Sequence, residues 1–188
     1  MTPALRLTLV AVATQAGLAA AALAGAALMG VRVPWGADRP WLATGLGVTV
    51  AGLLAALNLR LLHRPAGLLR RVRAAVDDVL VPTFAVLATW QIVVVSVAAG
   101  IGEELFFRGW LQPVFGLPAA SVAFGLAHVA GARMFAFGVW AAGMGVVLGG
   151  LALATGGVLA SMTAHVCYDV LAFHYLGAEA RRQEKLGA

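Results

Sequence analysis

The chain has 188 residues, of which 62% are hydrophobic and 11% are charged, and its mean hydropathy is +0.93. This composition excludes a soluble globular domain and a disordered chain, and it indicates a membrane protein with several spans. The net charge of +5 comes mainly from basic residues in the predicted loops and tail. It therefore indicates topology, since basic loops stay in the cytoplasm, and predicts no nucleic-acid partner.

The apolar runs are continuous and rich in Ala, Leu, Gly and Val, which predicts an all-α bundle rather than the alternating strands of a membrane barrel. At about 20 residues per span, the length allows about six transmembrane helices. We therefore expect a single membrane domain over residues 1–188. Its N-terminal part, residues 1–62, supplies two spans (Leu7–Met29 and Trp41–Leu62), and residues 79–176 form the predicted core.

The connection between these two parts is basic. The segment from Arg60 to Arg73 is interrupted by Pro65, which predicts a cytoplasmic loop or a surface helix. Asp77 and Asp78 follow where the N-terminal cap of the next helix is expected. This placement explains the two aspartates without a catalytic role.

The third predicted span, Leu80–Gln112, ends before Pro113. Its 33 residues would be about 50 Å long, more than the roughly 30 Å hydrocarbon core of a bilayer. A bend at Gly100 and Gly102 is therefore expected. One crossing by this helix would place the Glu103–Glu104 pair in the outer half of the membrane. The remaining predicted spans are Pro118–Val129, Met134–Ala154 and Gly157–Leu176.

The predicted core contains only five formal charges, and three of them lie together at Glu103, Glu104 and Arg108. A charge at bilayer depth costs about 2.5–3.5 kcal/mol on insertion scales, so the cluster predicts a functional site. Glu104 and Arg108 are four residues apart and can pair on one helix face. Glu103 points about 100° away from Glu104, so it stays available as a base.

Two histidine patterns follow at the same spacing. Phe124 precedes His128 by four residues and His165 precedes Asp169 by four, so each pair shares a helix face. We expect both histidines to face the same interior as Glu103. Structural polar pairs between membrane helices contribute only about 0.6 kcal/mol on average, which does not explain so many titratable groups in one core.

Three stretches of the chain resemble, in order, the three motifs of the CPBP family: GEELFFRGWLQ, SVAFGLAHV and GGVLASMTAHVCYD. These CAAX-protease and bacteriocin-processing proteins are also called Abi proteins and include the type II CAAX prenyl endopeptidases. The family patterns are Glu-Glu-x-x-x-Arg, Phe-x-x-x-His and His-x-x-x-Asn/Asp. The resemblance covers about half of the chain, and it implies a glutamic intramembrane protease that processes a membrane-tethered protein or peptide.

Carried over by motif position, the resemblance implies a role for each residue. Glu103 would be the general base that activates water, assisted by His128. His165 and Asp169 would stabilise the oxyanion, a role in which one good donor contributes about 3–4 kcal/mol. The supporting residues would be Glu104, Arg108 and Phe124.

The chain departs from the best-known family members at Asp169, where they carry Asn. An ionised carboxylate would repel an oxyanion, so three alternatives stay open: Asp169 is protonated, it orients His165, or it binds a metal. Glu103 and the two histidines would complete a zinc-like ligand set. We expect hydrolysis without a cofactor, because the chain lacks a His-Glu-x-x-His helix, and keep a divalent metal such as zinc as the alternative.

The expected partners are the lipid bilayer and a membrane-anchored substrate, which could be a prenylated peptide, a bacteriocin leader or a sorting signal with a C-terminal transmembrane helix. The last would place the chain among small myxosortase-like sorting enzymes. The composition, rich in Ala, Gly and Arg, predicts a bacterial inner (plasma) membrane. The alternative function is a non-catalytic bacteriocin immunity or peptide-binding membrane protein. A transporter is disfavoured by the lack of inverted repeats.

Overall fold

The computed structural model describes residues 1–36, 39–63 and 65–187, so residue 64 of the predicted basic segment lies outside it. The described residues form helices and turns and contain no strand, which confirms the all-α fold class. Eight α-helices follow one another in this part of the chain: α1 Pro3–Leu28, α2 Pro40–His63, α3 Leu68–Ala75, α4 Val81–Ala85, α5 Thr89–Glu104, α6 Gln112–Ala127, α7 Phe135–Thr155 and α8 Leu159–Gly187. π-Helical turns join α3 to α4 (Val76–Leu80) and α5 to α6 (Leu105–Leu111).

Four helical stretches of the described chain are long and apolar enough to cross a membrane: Pro3–Leu28, Pro40–His63, Thr89–Ala127 and Ala132–Thr155. The protein is therefore a multi-pass membrane protein. The stretch Thr89–Ala127 is not straight, because Gly116 has φ 83° and ψ 165°, which breaks the helix. The number of spans stays a prediction.

Contacts between helix ends define the two ends of the bundle. The backbone nitrogen of Val158 donates to the carbonyl of Pro34 at 2.8 Å, so the turn between α7 and α8 lies beside the turn between α1 and α2. At the opposite end, Nη2 of Arg73 lies 3.6 Å from Oε1 of Glu179, which places α3 beside the later turns of α8. Between these ends α8 packs against α2 and α5, α1 against α5, and α6 against α7.

The predicted third span differs from the structure at both of its ends. The helix stops at Ala85, Ala88 is extended with φ −74° and ψ 159°, and α5 starts only at Thr89. Pro113 does not end the helix. It lies in the first turn of α6, where its missing N–H and fixed φ are tolerated.

The predicted bend at Gly100 and Gly102 is also wrong, because both residues are helical within α5. A Cβ at Gly100 would collide with Val166 of α8, and one at Gly102 would collide with the backbone of Gln15 in α1. These glycines therefore allow neighbouring helices to approach α5 closely. The irregular geometry comes after the glutamates, in the π-helical turn Leu105–Leu111.

The two aspartates do not cap a helix. The chain runs from α3 through Val76–Leu80 into α4 with helical backbone angles, so it has no free helix start there. Oδ2 of Asp77 instead accepts a hydrogen bond from Nε of Arg73 at 2.7 Å. This bond raises the pKa of the Arg73 guanidinium above its ordinary value.

Candidate active site

Glu103, His128 and His165 converge on one wall of a cavity inside the bundle. Oε2 of Glu103 lies 3.9 Å from Nε2 of His128 and 3.9 Å from Nε2 of His165. These separations are too long for direct hydrogen bonds but short enough for one bridging water. The structure thus brings together the predicted base and both histidines, which come from α5, the C-terminal end of α6 and α8.

Glu104 follows Glu103 in the same helix, points in a different direction and is fully buried. Its Oε1 accepts a hydrogen bond from Nη1 of Arg108 and one from Nδ1 of His165 at 2.9 Å. Nη2 of Arg108 also donates to the carbonyl of Gly145 at 3.2 Å. The guanidinium carbon is 4.4 Å from the ring centre of Phe124, which is within cation–π range. The supporting residues of the first two motifs therefore form one buried cluster around a neutralised carboxylate.

The hydrogen bonds of the two imidazoles define which of their nitrogens face the cavity. Nδ1 of His128 lies 2.7 Å from the carbonyl oxygen of Phe124, and since a carbonyl only accepts, Nδ1 carries a proton. Nδ1 of His165 is directed to the Glu104 carboxylate. In both residues Nε2 is left facing Glu103.

Asp169 lies one helical turn after His165, as predicted. Its Oδ2 is 3.6 Å from Nε2 of His165, too far for a direct hydrogen bond, and its side chain is 13% exposed. Glu103, His128, His165 and Asp169 all line the same cavity. Among the residues that the structure describes, however, no group of three or more His, Cys, Asp and Glu side chains is arranged to hold a metal ion.

The cavity has a volume of about 500 Å³. Its walls are mostly apolar, with aromatic rings from Phe84, Trp140 and Phe173, the first and last of which stack 3.8 Å apart. The proposed catalytic side chains lie along one part of the lining. Another part contains Arg73 and its partners Asp77 and Glu179, at the end of the bundle that carries α3.

Two polar contacts at this cavity are not predicted by any sequence motif. Nε2 of Gln15 in α1 donates to Oε1 of Glu103 at 2.7 Å. Nδ2 of Asn58 in α2 donates to the hydroxyl of Tyr168 at 2.8 Å. One feature of the sequence could have indicated both contacts, because each residue is an amide in an otherwise apolar helix. Burying an amide costs free energy unless it has a hydrogen-bond partner.

Residues 85–171 match the family model Rce1-like, described as type II CAAX prenyl endopeptidase Rce1-like. This segment is similar to the Rce1-like family. The match confirms the resemblance predicted from the three motifs and supports, at the level of the family, a CAAX-type intramembrane protease. The Rce1-like segment contains every predicted site residue, whereas Gln15 and Asn58 lie before it. Comparison with curated proteins and with solved structures gives no significant match.

Proposed function

We propose that the protein is an intramembrane endopeptidase that hydrolyses a peptide bond of a membrane-tethered protein or peptide. The observation that carries this proposal is the position of Oε2 of Glu103. This atom is buried, has no hydrogen-bond partner among the described residues, and lies 3.9 Å from Nε2 of His128 and of His165. Burying a carboxylate oxygen without a hydrogen-bond partner costs free energy. The position of Oε2 between the two histidines therefore favours a bound water, which is the co-substrate of hydrolysis.

In this proposal Glu103 acts as the general base. It takes a proton from the water while the water oxygen attacks the carbonyl carbon of the substrate. Nε2 of a neutral His128 accepts a hydrogen bond from the second O–H of the water and so orients it, because its Nδ1 proton is committed to the carbonyl of Phe124. When the tetrahedral intermediate collapses, the C–N bond breaks and Glu103 returns its proton to the leaving amine.

His165 stabilises the oxyanion of that intermediate. Its Nδ1 donates to Glu104, so Nε2 points into the cavity. In the imidazolium form both ring nitrogens carry a proton, and Nε2 can then donate to the developing negative charge. Arg108 neutralises Glu104 and thereby keeps this acceptor in place. We propose that Asp169 works in its protonated form, as a second donor beside His165. In that form it resembles the Asn of the family pattern.

The cavity constrains the substrate class. Its volume of about 500 Å³ is typical of pockets that bind small molecules. A transmembrane helix, with a diameter of about 10 Å and a length of about 30 Å, occupies a volume several times larger. We therefore propose an extended peptide tethered by a lipid chain, such as a prenylated peptide, as the substrate. Its home would be the inner membrane of a bacterium.

The test uses purified protein in lipid nanodiscs and a quenched fluorescent peptide with a farnesylated cysteine before its last three residues. Glu103→Gln should lower kcat by about 100-fold or more, because a general base contributes about 10²–10⁴-fold. Asp78→Asn makes the same chemical change at an exposed position outside the cavity and should leave kcat unchanged. Cleavage by Glu103→Gln at the wild-type rate would contradict the proposal.

Two further readouts separate the alternatives. Binding of the peptide by the wild-type protein without any cleaved product would favour the non-catalytic peptide-binding protein. Treatment with 1,10-phenanthroline should leave cleavage unchanged. Loss of cleavage that added zinc restores would instead favour the metal-dependent protease.

A further inference from the structure

We propose that Gln15 of α1 is a positioning residue for Glu103. It occupies one oxygen of the carboxylate so that the other faces the two histidines. This inference rests on the proposed function, since it assigns a task to a residue that acts through the general base. Gln15 lies 70 residues before the start of the Rce1-like segment, so the family match does not include it.

The contact divides the two oxygens of Glu103 between different partners. Oε1 accepts from Nε2 of Gln15 at 2.7 Å, the short distance typical of a hydrogen bond to a charged acceptor. Oε2 points to Nε2 of His128 and of His165 instead. Rotation of the carboxylate that turned Oε2 away from the histidines would break the bond to Gln15.

The packing of α1 on α5 makes this contact possible. Gly102 directly precedes Glu103, and any side chain there would collide with the backbone of Gln15. Two turns earlier in α1, Oγ1 of Thr8 accepts from Nε2 of Gln91 at 2.9 Å. Thr8 and Gln15 are seven residues apart and share one face of α1. Two side-chain hydrogen bonds thus join α1 to α5. Only the bond from Gln15 reaches the site, because its acceptor is Glu103.

The chemistry of Gln15 suits a general base better than a cation would. Glu104 is neutralised by Arg108, whereas Glu103 receives its described hydrogen bond from a neutral amide. A neutral donor orients a carboxylate without pairing its charge, so the carboxylate can still accept a proton. The titratable groups that face Glu103 from other helices are His128, His165 and, along the same cavity, Asp169.

The test compares Gln15→Met, which keeps the length of the side chain but removes the donor, with Thr8→Val, which removes the other hydrogen bond between the same helices. Both should lower the Tm. With the farnesylated peptide, Gln15→Met should lower kcat about tenfold at an unchanged KM, as expected for a lost bond to a charged group. The acid limb of its kcat–pH profile should move to higher pH, because the ionised carboxylate loses a donor. Thr8→Val should keep the wild-type kcat and pH profile.

Two outcomes would overturn the inference. The first is a Gln15→Met variant with the wild-type kcat and pH profile, while Glu103→Gln is inactive. That result would leave the proposed function intact and reduce Gln15 to a packing residue. The second is the absence of coupling between the two side chains, which can be measured even if Glu103→Gln is active and the proposed function is contradicted. In that case, additive Tm changes in a double-mutant cycle of Gln15→Met and Glu103→Met would refute the contact.

Discussion

Glu103 and Glu104 are adjacent in sequence, yet their side chains have different surroundings. Glu104 is fully buried and bonded to Arg108 and His165. Glu103 is partly exposed and accepts one hydrogen bond, from the side-chain amide of Gln15. Two neighbouring carboxylates in different environments can perform different tasks, and in the proposed mechanism this difference separates the structural acid from the general base.

The first prediction concerns the buried ion pair. Arg108→Leu should lower the free energy of unfolding by about 3–5 kcal/mol, because it leaves Glu104 buried without its cation. The matched control is Arg182→Leu, which breaks an exposed pair with Glu179 at 3.9 Å and should cost less than about 1 kcal/mol. Unfolding in lipid bicelles gives both values. Equal stability of the two variants would contradict the burial of the Glu104–Arg108 pair.

A second prediction concerns Asp169. If this residue works as a protonated donor, Asp169→Asn preserves the donor and should retain the wild-type kcat near neutral pH. Its activity should also extend to higher pH, because an amide does not ionise. Asp169→Leu removes the donor and should lose about tenfold or more. The kcat–pH profiles of the three proteins give the answer, and an inactive Asp169→Asn would mean that the ionised form is required.

At the scale of single residues, spacing predicted pairs but not their partners on other helices. The four-residue spacing of Glu104 and Arg108 is sufficient to place both on one helix face, and the structure has that contact. The bond from Gln15 to Glu103 joins residues 88 positions apart. No local pattern specifies which helix packs against which, so this contact required the tertiary structure.

At the scale of helices, the existence of the elements followed from hydropathy, while their breaks depended on packing. The apolar runs predicted α1, α2 and α7 within a few residues. The π-helical turn Leu105–Leu111 has no signature in the sequence. Such a turn adds about one residue per turn, which reorients the residues that follow Glu104 and lets Arg108 reach the carbonyl of Gly145.

The third prediction tests the packing of α2 on α8. A Cβ at Gly47 would lie 2.6 Å from the carbonyl oxygen of Ala160, which is backbone and cannot move aside cheaply. Gly47→Ala should therefore lower the free energy of unfolding by about 1–3 kcal/mol. Gly45 lies on the same helix with no neighbour within 4 Å of its Cβ position. Gly45→Ala should be neutral or stabilising by up to about 1 kcal/mol. A neutral Gly47→Ala would contradict this close helix contact.

At the scale of the whole molecule, the charged part of the cavity lining lies towards one end of the bundle. The part of its lining that contains Arg73, Asp77 and Glu179 belongs to the end of the bundle where α3 meets α8. Basic residues concentrate at this end: Arg60, Arg70, Arg71, Arg73, Arg133, Arg181 and Arg182. The turn between α1 and α2 at the opposite end contributes Arg32 and Arg39. Since basic segments stay in the cytoplasm, we expect the end with α3 to be the cytoplasmic one.

This orientation gives the fourth prediction, which is tested by cysteine labelling after Cys167→Ala. Ala74→Cys places a thiol at an exposed position of α3 without removing a charge, and Gly36→Cys does so at the opposite end, where its Cβ has no neighbour within 4 Å. A membrane-impermeant maleimide should label Gly36→Cys in intact cells. It should label Ala74→Cys only in permeabilised cells or inside-out vesicles. The reverse pattern would contradict this orientation and place the charged end of the cavity outside the cell. A substrate would then reach Glu103 only after export through the membrane.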